Sequence, residues 1–151
     1  LRQLVADPQG FVPARGGDAL YTARTLPGPA RDRIPLWIAA NGPRSLALAA
    51  SSGDAWITYG GSGQTLEAWF GHVEGLMGRF REAEAAAGRS GVRAVLSLDS
   101  SPQFSLSSVG VFEEMTGRAA ALGFDDVVSH WPRPDGPYAG DEAVLEGLTL
   151  R

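Results

Sequence analysis

The sequence contains no cysteine, which excludes disulfides, thiolate nucleophiles and cysteine-bound metals. Lysine is absent as well: all 13 basic residues are arginine, so neither a lysine Schiff base nor a lysine-bearing phosphate loop is available. Histidine occurs only at His72 and His130, and no metal-ligand spacing surrounds either, so no metal site is expected. No apolar run approaches the roughly 18 residues that a membrane span requires. The chain opens on Leu1 rather than Met, without the basic, apolar and small-residue pattern of a secretory signal. Net charge is −4 with a pI of about 5.1, and the arginines are scattered, which argues against a nucleic-acid surface. The expectation is a cytoplasmic protein that handles small molecules.

What is present is an ordinary globular composition, 44% apolar and 20% charged over 151 residues. That length suits one domain, and roughly 68–70% of the unfolded surface is hidden at such a size. Residues 1–33 form an irregular lead-in. Leu4 and Val5 meet Asp7-Pro8, and Gly16-Gly17 and Pro27-Gly28-Pro29 are turn punctuation around a small strand or hairpin over 18–25.

Beyond residue 33 the pattern becomes regular. Pro35 to Asn41 is a continuous apolar run, the mark of a strand covered on both faces. Pro43 suits the first position of a helix with Leu46, Ala49 and Ala50 on its apolar stripe and Gly53 at its end. A second strand follows over 55–59. The longest helix runs from about Thr65, its N-cap, to Ala87; Leu66, Trp69, Phe70, Val73, Leu76, Met77 and Phe80 share one face. Glu67 sits in its favourable first turn. A third strand over 92–99 leads to a Ser-rich loop over 100–110, then a helix carrying Phe112, Met115, Ala119 and Leu122 and stopped by Gly123. A fourth strand spans 126–131, and Asp141 suits the N-cap of a last short helix. Strand and helix alternate four times, so the fold class is α/β with a parallel sheet. Periodicity alone leaves a doubly wound sheet and a barrel both open.

Residues 34–60, IPLWIAANGPRSLALAASSGDAWITYG, resemble the fifth strand, fifth helix and sixth strand of the luciferase-like flavin- or deazaflavin-dependent monooxygenases and oxidoreductases. Family members carry something close to PxWIAANGPRxLxLAAxxADGWxT there. TLPGPARDRIPLW at 25–37 resembles the usual approach to that strand, and FEEMTGRAAALGFDDVVSHWPRPDGPYAGDEAVLE at 112–146 is similar to the family's end. The resemblance implies a (β/α)8 TIM barrel of which this chain supplies about half, as four βα units over 34–151 in a single C-terminal half-barrel domain, 1–151. It implies FMN or the deazaflavin coenzyme as cofactor, a small-molecule substrate, and monooxygenation or hydride transfer. The family draws much of its flavin pocket from its first four strands. The active site is therefore expected to be incomplete without an N-terminal half or a partner subunit. The alternative is a non-catalytic flavin-binding or structural half barrel that self-associates. Four strands alone leave two open edges and an unlined inner face, so a homo-oligomer or pairing with the missing half is expected. Trp37, Trp56 and Val95 are expected to be exposed on that face, with Thr58 directed like Trp56.

In a (β/α)8 barrel the chemistry sits at the C-terminal ends of the strands. Asn41 and Gly42 end the first strand: they serve either a flavin or phosphate group at the helix N-terminus, or merely a cap and turn. Thr58-Tyr59-Gly60-Gly61-Ser62-Gly63 either opens backbone N–H groups to a phosphate or is a flexible loop. At the fourth strand's end, His130 is a candidate for proton transfer or for a hydrogen bond to the flavin edge, and Arg133 for an anionic group. Trp131 is a candidate cofactor contact. The bland alternative is a core histidine beside a packing Trp131, with Arg133 paired to Asp135. Trp37, Trp56 and Trp69 fit core packing better than cofactor stacking, and His72 fits a solvated helix face.

Overall fold

The computed structural model describes residues 34–148, and a compact unit begins at Leu36. The strand or hairpin expected over 18–25 and the rest of the lead-in lie outside the described residues. Four strands alternate with four helices: β1 (Trp37–Ala39), α1 (Pro43–Ser52), β2 (Ala55–Thr58), α2 (Leu66–Ala86), β3 (Arg93–Ser97), α3 (Val109–Ala121), β4 (Asp126–Val128) and α4 (Ala143–Glu146). All four strands are parallel, in the order β1-β2-β3-β4.

Register assigns every side chain to a face. Trp37 pairs with Ala55, Ile38 with Trp56, Trp56 with Ala94, and Leu96 with Val127. Ile38, Trp56, Ala94, Leu96 and Val127 thus share one face, and all of them pack with residues of α1, α2 and α3. Consecutive strand order with the crossover helices on one face is the arrangement of a (β/α) barrel segment. A doubly wound sheet reverses its order and carries helices on both faces. The choice that periodicity left open is therefore made by register.

The same register corrects the expected inner face. Trp56 is fully buried in the helix-side core, stacked on Phe80 at 4.2 Å and on Phe124 at 5.7 Å. Thr58 follows it onto the buried side, and Val95 is buried too. Trp37 does lie on the face away from the helices, where it is 53% exposed, so it is not a core residue. The apolar run at 35–41 suggested cover on both faces; within the described residues β1 alternates exposed, half-buried, exposed.

Helix α2 carries Gly71, Gly75 and Gly78, each costing about 1 kcal/mol relative to alanine. Its buried Trp69, Phe70, Val73, Leu76, Met77 and Phe80 outweigh this, at about 1.5–3 kcal/mol for a typical large apolar side chain. Thr65 caps it as expected, its side chain accepting from the Ala68 N–H at 3.2 Å. Helix α3 begins three residues before the expected Phe112, because Ser108 accepts from the Val111 N–H at 3.2 Å and caps it. Two short 3-10 turns, Leu98–Ser100 and Ser105–Ser107, occupy the Ser-rich segment. Asp141 accepts from the Ala143 N–H at 2.9 Å at the start of α4.

Acidic residues staple the N-terminal edge of the sheet. Asp54 accepts the Leu36 N–H at 2.7 Å, and Asp125 accepts the Ala94 N–H at 2.8 Å, so each joins its own strand to the preceding one. Buried Glu84 does the same for the α2–β3 connection, accepting from Val92 N–H and from Arg81, both at 2.7 Å. Arg89 donates to the carbonyls of Ala50 at 2.8 Å and Gly53 at 3.0 Å, placing a cation at the C-terminal end of α1. No helix among the described residues is long and apolar enough to cross a membrane.

Candidate functional site

The opposite, C-terminal edge of the sheet carries nearly all of the polar residues singled out above. A belt of hydrogen bonds joins each strand end to the next. Between β1 and β2, the Asn41 amide N–H donates to the Gly60 carbonyl at 2.7 Å, and the Thr58 hydroxyl donates to the Asn41 Oδ1 at 2.7 Å. The Gly60 N–H returns to the Thr58 hydroxyl at 3.0 Å. From β2 to β3, the Ser100 hydroxyl donates to the Tyr59 carbonyl. From β3 to β4, Asp99 accepts from Ser129 and His130.

Asn41 is therefore a clamp and not a helix cap. Gly42 is the N-cap of α1, makes no side-chain cap, and is followed by Pro43. Gly60 adopts φ +77°, and a Cβ there would lie 2.9 Å from the Trp69 ring, so position 60 has both a conformational and a steric need for glycine. The Gly-rich segment wraps the start of α2. Between it and the flank of that helix lies an open cavity of about 350 Å³, lined by Asn41, Gly60, Gly61 and Ser62 and by His72 and Arg79. His72 is exposed as expected, but on the groove. Arg79 forms no ion pair among the described residues. It stands seven residues beyond His72, two helical turns along one flank of α2. Gly75 between them leaves the groove wall low: a Cβ there would be 3.5 Å from an Arg79 guanidinium nitrogen.

The second cluster lies at the ends of β3 and β4. Asp99 lies two residues beyond the end of β3, in the 3-10 turn Leu98–Ser100, and its side chain is 0% exposed. Its Oδ1 accepts from the Ser105 hydroxyl at 2.6 Å and the Ser105 N–H at 3.2 Å. Its Oδ2 accepts from the Ser129 hydroxyl at 3.1 Å, from the His130 N–H, and faces His130 Nδ1 at 3.0 Å. Burial pushes the Asp99 carboxyl up, but the donations from Ser105, the His130 backbone and the His130 ring outweigh it and hold it below the usual carboxylate range. The His130 ring stacks flat on Tyr138, with centroids 3.9 Å apart and planes 7° apart.

Strand β4 ends at Val128, so His130 and Trp131 lie in the loop beyond it and not within the strand. Neither is a core residue: His130 is exposed and Trp131 is 62% exposed, its indole N–H donating to Glu142 at 2.9 Å. Arg133 does not pair with Asp135. Its side chain is exposed without an ion pair among the described residues, while its backbone closes the 133–140 loop through Tyr138 and Gly140.

Asp99 was not among the residues singled out from sequence, nor were Ser105, Ser129, Tyr138 and Arg79. One signal did exist for Asp99: it is an acidic residue at the C-terminal end of an apolar strand, where a βα fold puts its chemistry. The other four come from loops and a helix flank, and only folding brings them there.

Residues 12–104, more than half of the chain, match the sequence model of a family described as luciferase-like monooxygenases. The matched segment contains the 34–60 block, whereas the 112–146 block lies outside it. No curated protein matches the chain significantly.

Proposed function

The chain belongs to the luciferase-like monooxygenase family, and we propose that it supplies the C-terminal strand ends of a flavin-dependent oxidoreductase site, working with FMN or the deazaflavin coenzyme on a small-molecule substrate. One observation carries this reading. The cavity of about 350 Å³ gathers Asn41, Gly60, Gly61 and Ser62 with two cation-forming side chains, His72 and Arg79, at the sheet edge that also bears His130. Among the described residues its lining holds no carboxylate, which supports the phosphate of such a cofactor as its occupant.

Within that reading the roles divide by what each side chain has left to offer. The Gly60–Ser62 backbone and Arg79 receive the phosphate. Thr58 acts through Asn41, since its hydroxyl is already engaged on both sides. Gly42 brings the α1 N-terminus to the same edge. Trp131 offers an exposed ring face for stacking, His130 moves a proton, and Arg133 binds an anionic group. Bound reduced flavin supplies the reducing electrons. Catalysis is completed by an N-terminal half or a partner subunit.

A second reading is a non-catalytic, self-associating half barrel that binds flavin or serves only as structure. The sheet face away from the helices favours it, with Trp37 53% and Val128 41% exposed. Titration with FMN and with riboflavin, followed by flavin fluorescence, tests the site. Tighter FMN than riboflavin binding, lost in Arg79→Gln, supports it. Equal affinities, or none even with an N-terminal half co-expressed, would refute it. Turnover with reduced flavin then separates the enzyme from the structural subunit.

A further inference from the structure

We propose that Asp99 is a positioning residue: it fixes the proton of neutral His130 on Nδ1 and so presents the Nε2 lone pair at the C-terminal edge of the sheet as a proton acceptor. The inference rests on the reading above only for what gives up the proton. Sequence left two roles for His130 open, proton transfer and a hydrogen bond to a ligand edge. The geometry selects the first, with a direction.

The Asp99 side chain is closed off from solvent, and both of its oxygens are filled by donors: Ser105 hydroxyl and N–H on Oδ1, Ser129 hydroxyl and His130 N–H on Oδ2. Such a set stabilises the anion, and an ionised carboxylate can only accept. The His130 nitrogen 3.0 Å away must therefore donate. That nitrogen is Nδ1, so in the neutral ring Nε2 carries the lone pair.

The ring is also held in place. Its own backbone N–H binds the same carboxylate, and Tyr138 lies flat against it at 3.9 Å. Tyr138 is fixed in turn by the Arg133 N–H, which donates to its carbonyl at 2.9 Å. The side chain remains 46% exposed, and Nε2 has no hydrogen-bond partner among the described residues. The matching ligand is one with an ionisable O–H or N–H. Its proton moves to Nε2, the ring becomes imidazolium, and Asp99 stays ionised as the counter-charge. No proton passes on to the aspartate, and the ligand keeps the electron pair.

The test uses the full chain without flavin, so its outcome is independent of cofactor binding. Two-bond 15N–1H correlation spectra of His130 in alkaline buffer report which nitrogen carries the proton. The expected result is a protonated Nδ1 whose hydrogen exchanges slowly with solvent, and a bare Nε2. In Asp99→Asn the anionic acceptor is gone, and the population should shift to the Nε2–H tautomer; in Ser105→Ala, which keeps the carboxylate, it should not. A wild-type ring protonated on Nε2 would overturn the proposal outright, whether or not Asp99→Asn folds. An unchanged tautomer in folded Asp99→Asn would overturn it equally. A purely structural aspartate would move stability and leave the tautomer where it was.

Discussion

The indole N–H of Trp56 donates to the Ala40 carbonyl at 2.8 Å, across the β1–β2 boundary and beneath the helices. Both residues are buried, so the bond is sheltered from water, and the ring below it stacks on Phe80. Trp56→Phe keeps most of the packing and orphans a buried carbonyl, with an expected loss of about 1–3 kcal/mol. Phe80→Ala removes the stacking partner and leaves a cavity, with an expected loss of about 3–5 kcal/mol. Urea unfolding measures both. A Phe80→Ala protein as stable as wild type would contradict the core described here.

The Asn41 clamp makes a sharper contrast. Asn41→Ala leaves the Gly60 carbonyl without its donor and the Thr58 hydroxyl without its acceptor, both in part-buried positions. The expected loss is about 1–3 kcal/mol. Four residues along, Ser45 makes an exposed bond to the Gly42 carbonyl, and Ser45→Ala should stay within about 0.5 kcal/mol of wild type. Equal effects at the two sites would mean that the clamp contributes nothing.

Acid should loosen the β3–β4 end of the site through Asp99. Its carboxyl is held below the usual value of about 3.9, so the folded protein binds this proton more weakly than the unfolded chain. The stabilisation is fully present above that value and is lost as pH falls through it to the lower folded-state value. Urea midpoints of wild type and Asp99→Asn should therefore differ most near about pH 7 and converge as the solution becomes strongly acid. A gap that widened on acidification would contradict the assignment.

The sheet face away from the helices makes a prediction about association. Trp37 and Val128, on the two outer strands, point away from the helix layer and are exposed, and apolar side chains left in water favour pairing. Sedimentation velocity should show species larger than the monomer, and Trp37→Glu should shift them toward the monomer. Leu48→Ser, at an exposed leucine on α1, should not. A wild-type chain that sediments as a stable monomer would count against the self-associating reading.

Sequence by itself determined the elements and their order. The i, i+3, i+4 repeat from Leu66 to Phe80 requires a long helix with one buried face, and Thr65, Pro43 and Gly53 mark boundaries through chemistry local to each position. The 34–60 block likewise located Asn41, Thr58 and Gly60, because a strand end followed by glycine is a local pattern. Tertiary structure decided what no local pattern encodes. An apolar strand does not say which of its faces the helices will cover, so the direction of Trp56 waited for the register with Ala94. Asp99 and His130 are 31 residues apart, and nothing in either neighbourhood names the other. They meet because parallel strands joined by helical crossovers bring all their C-terminal ends to one edge. There the donors gathered around Asp99 outweigh its burial and turn an ordinary aspartate into a fixed anion with a histidine bound to it.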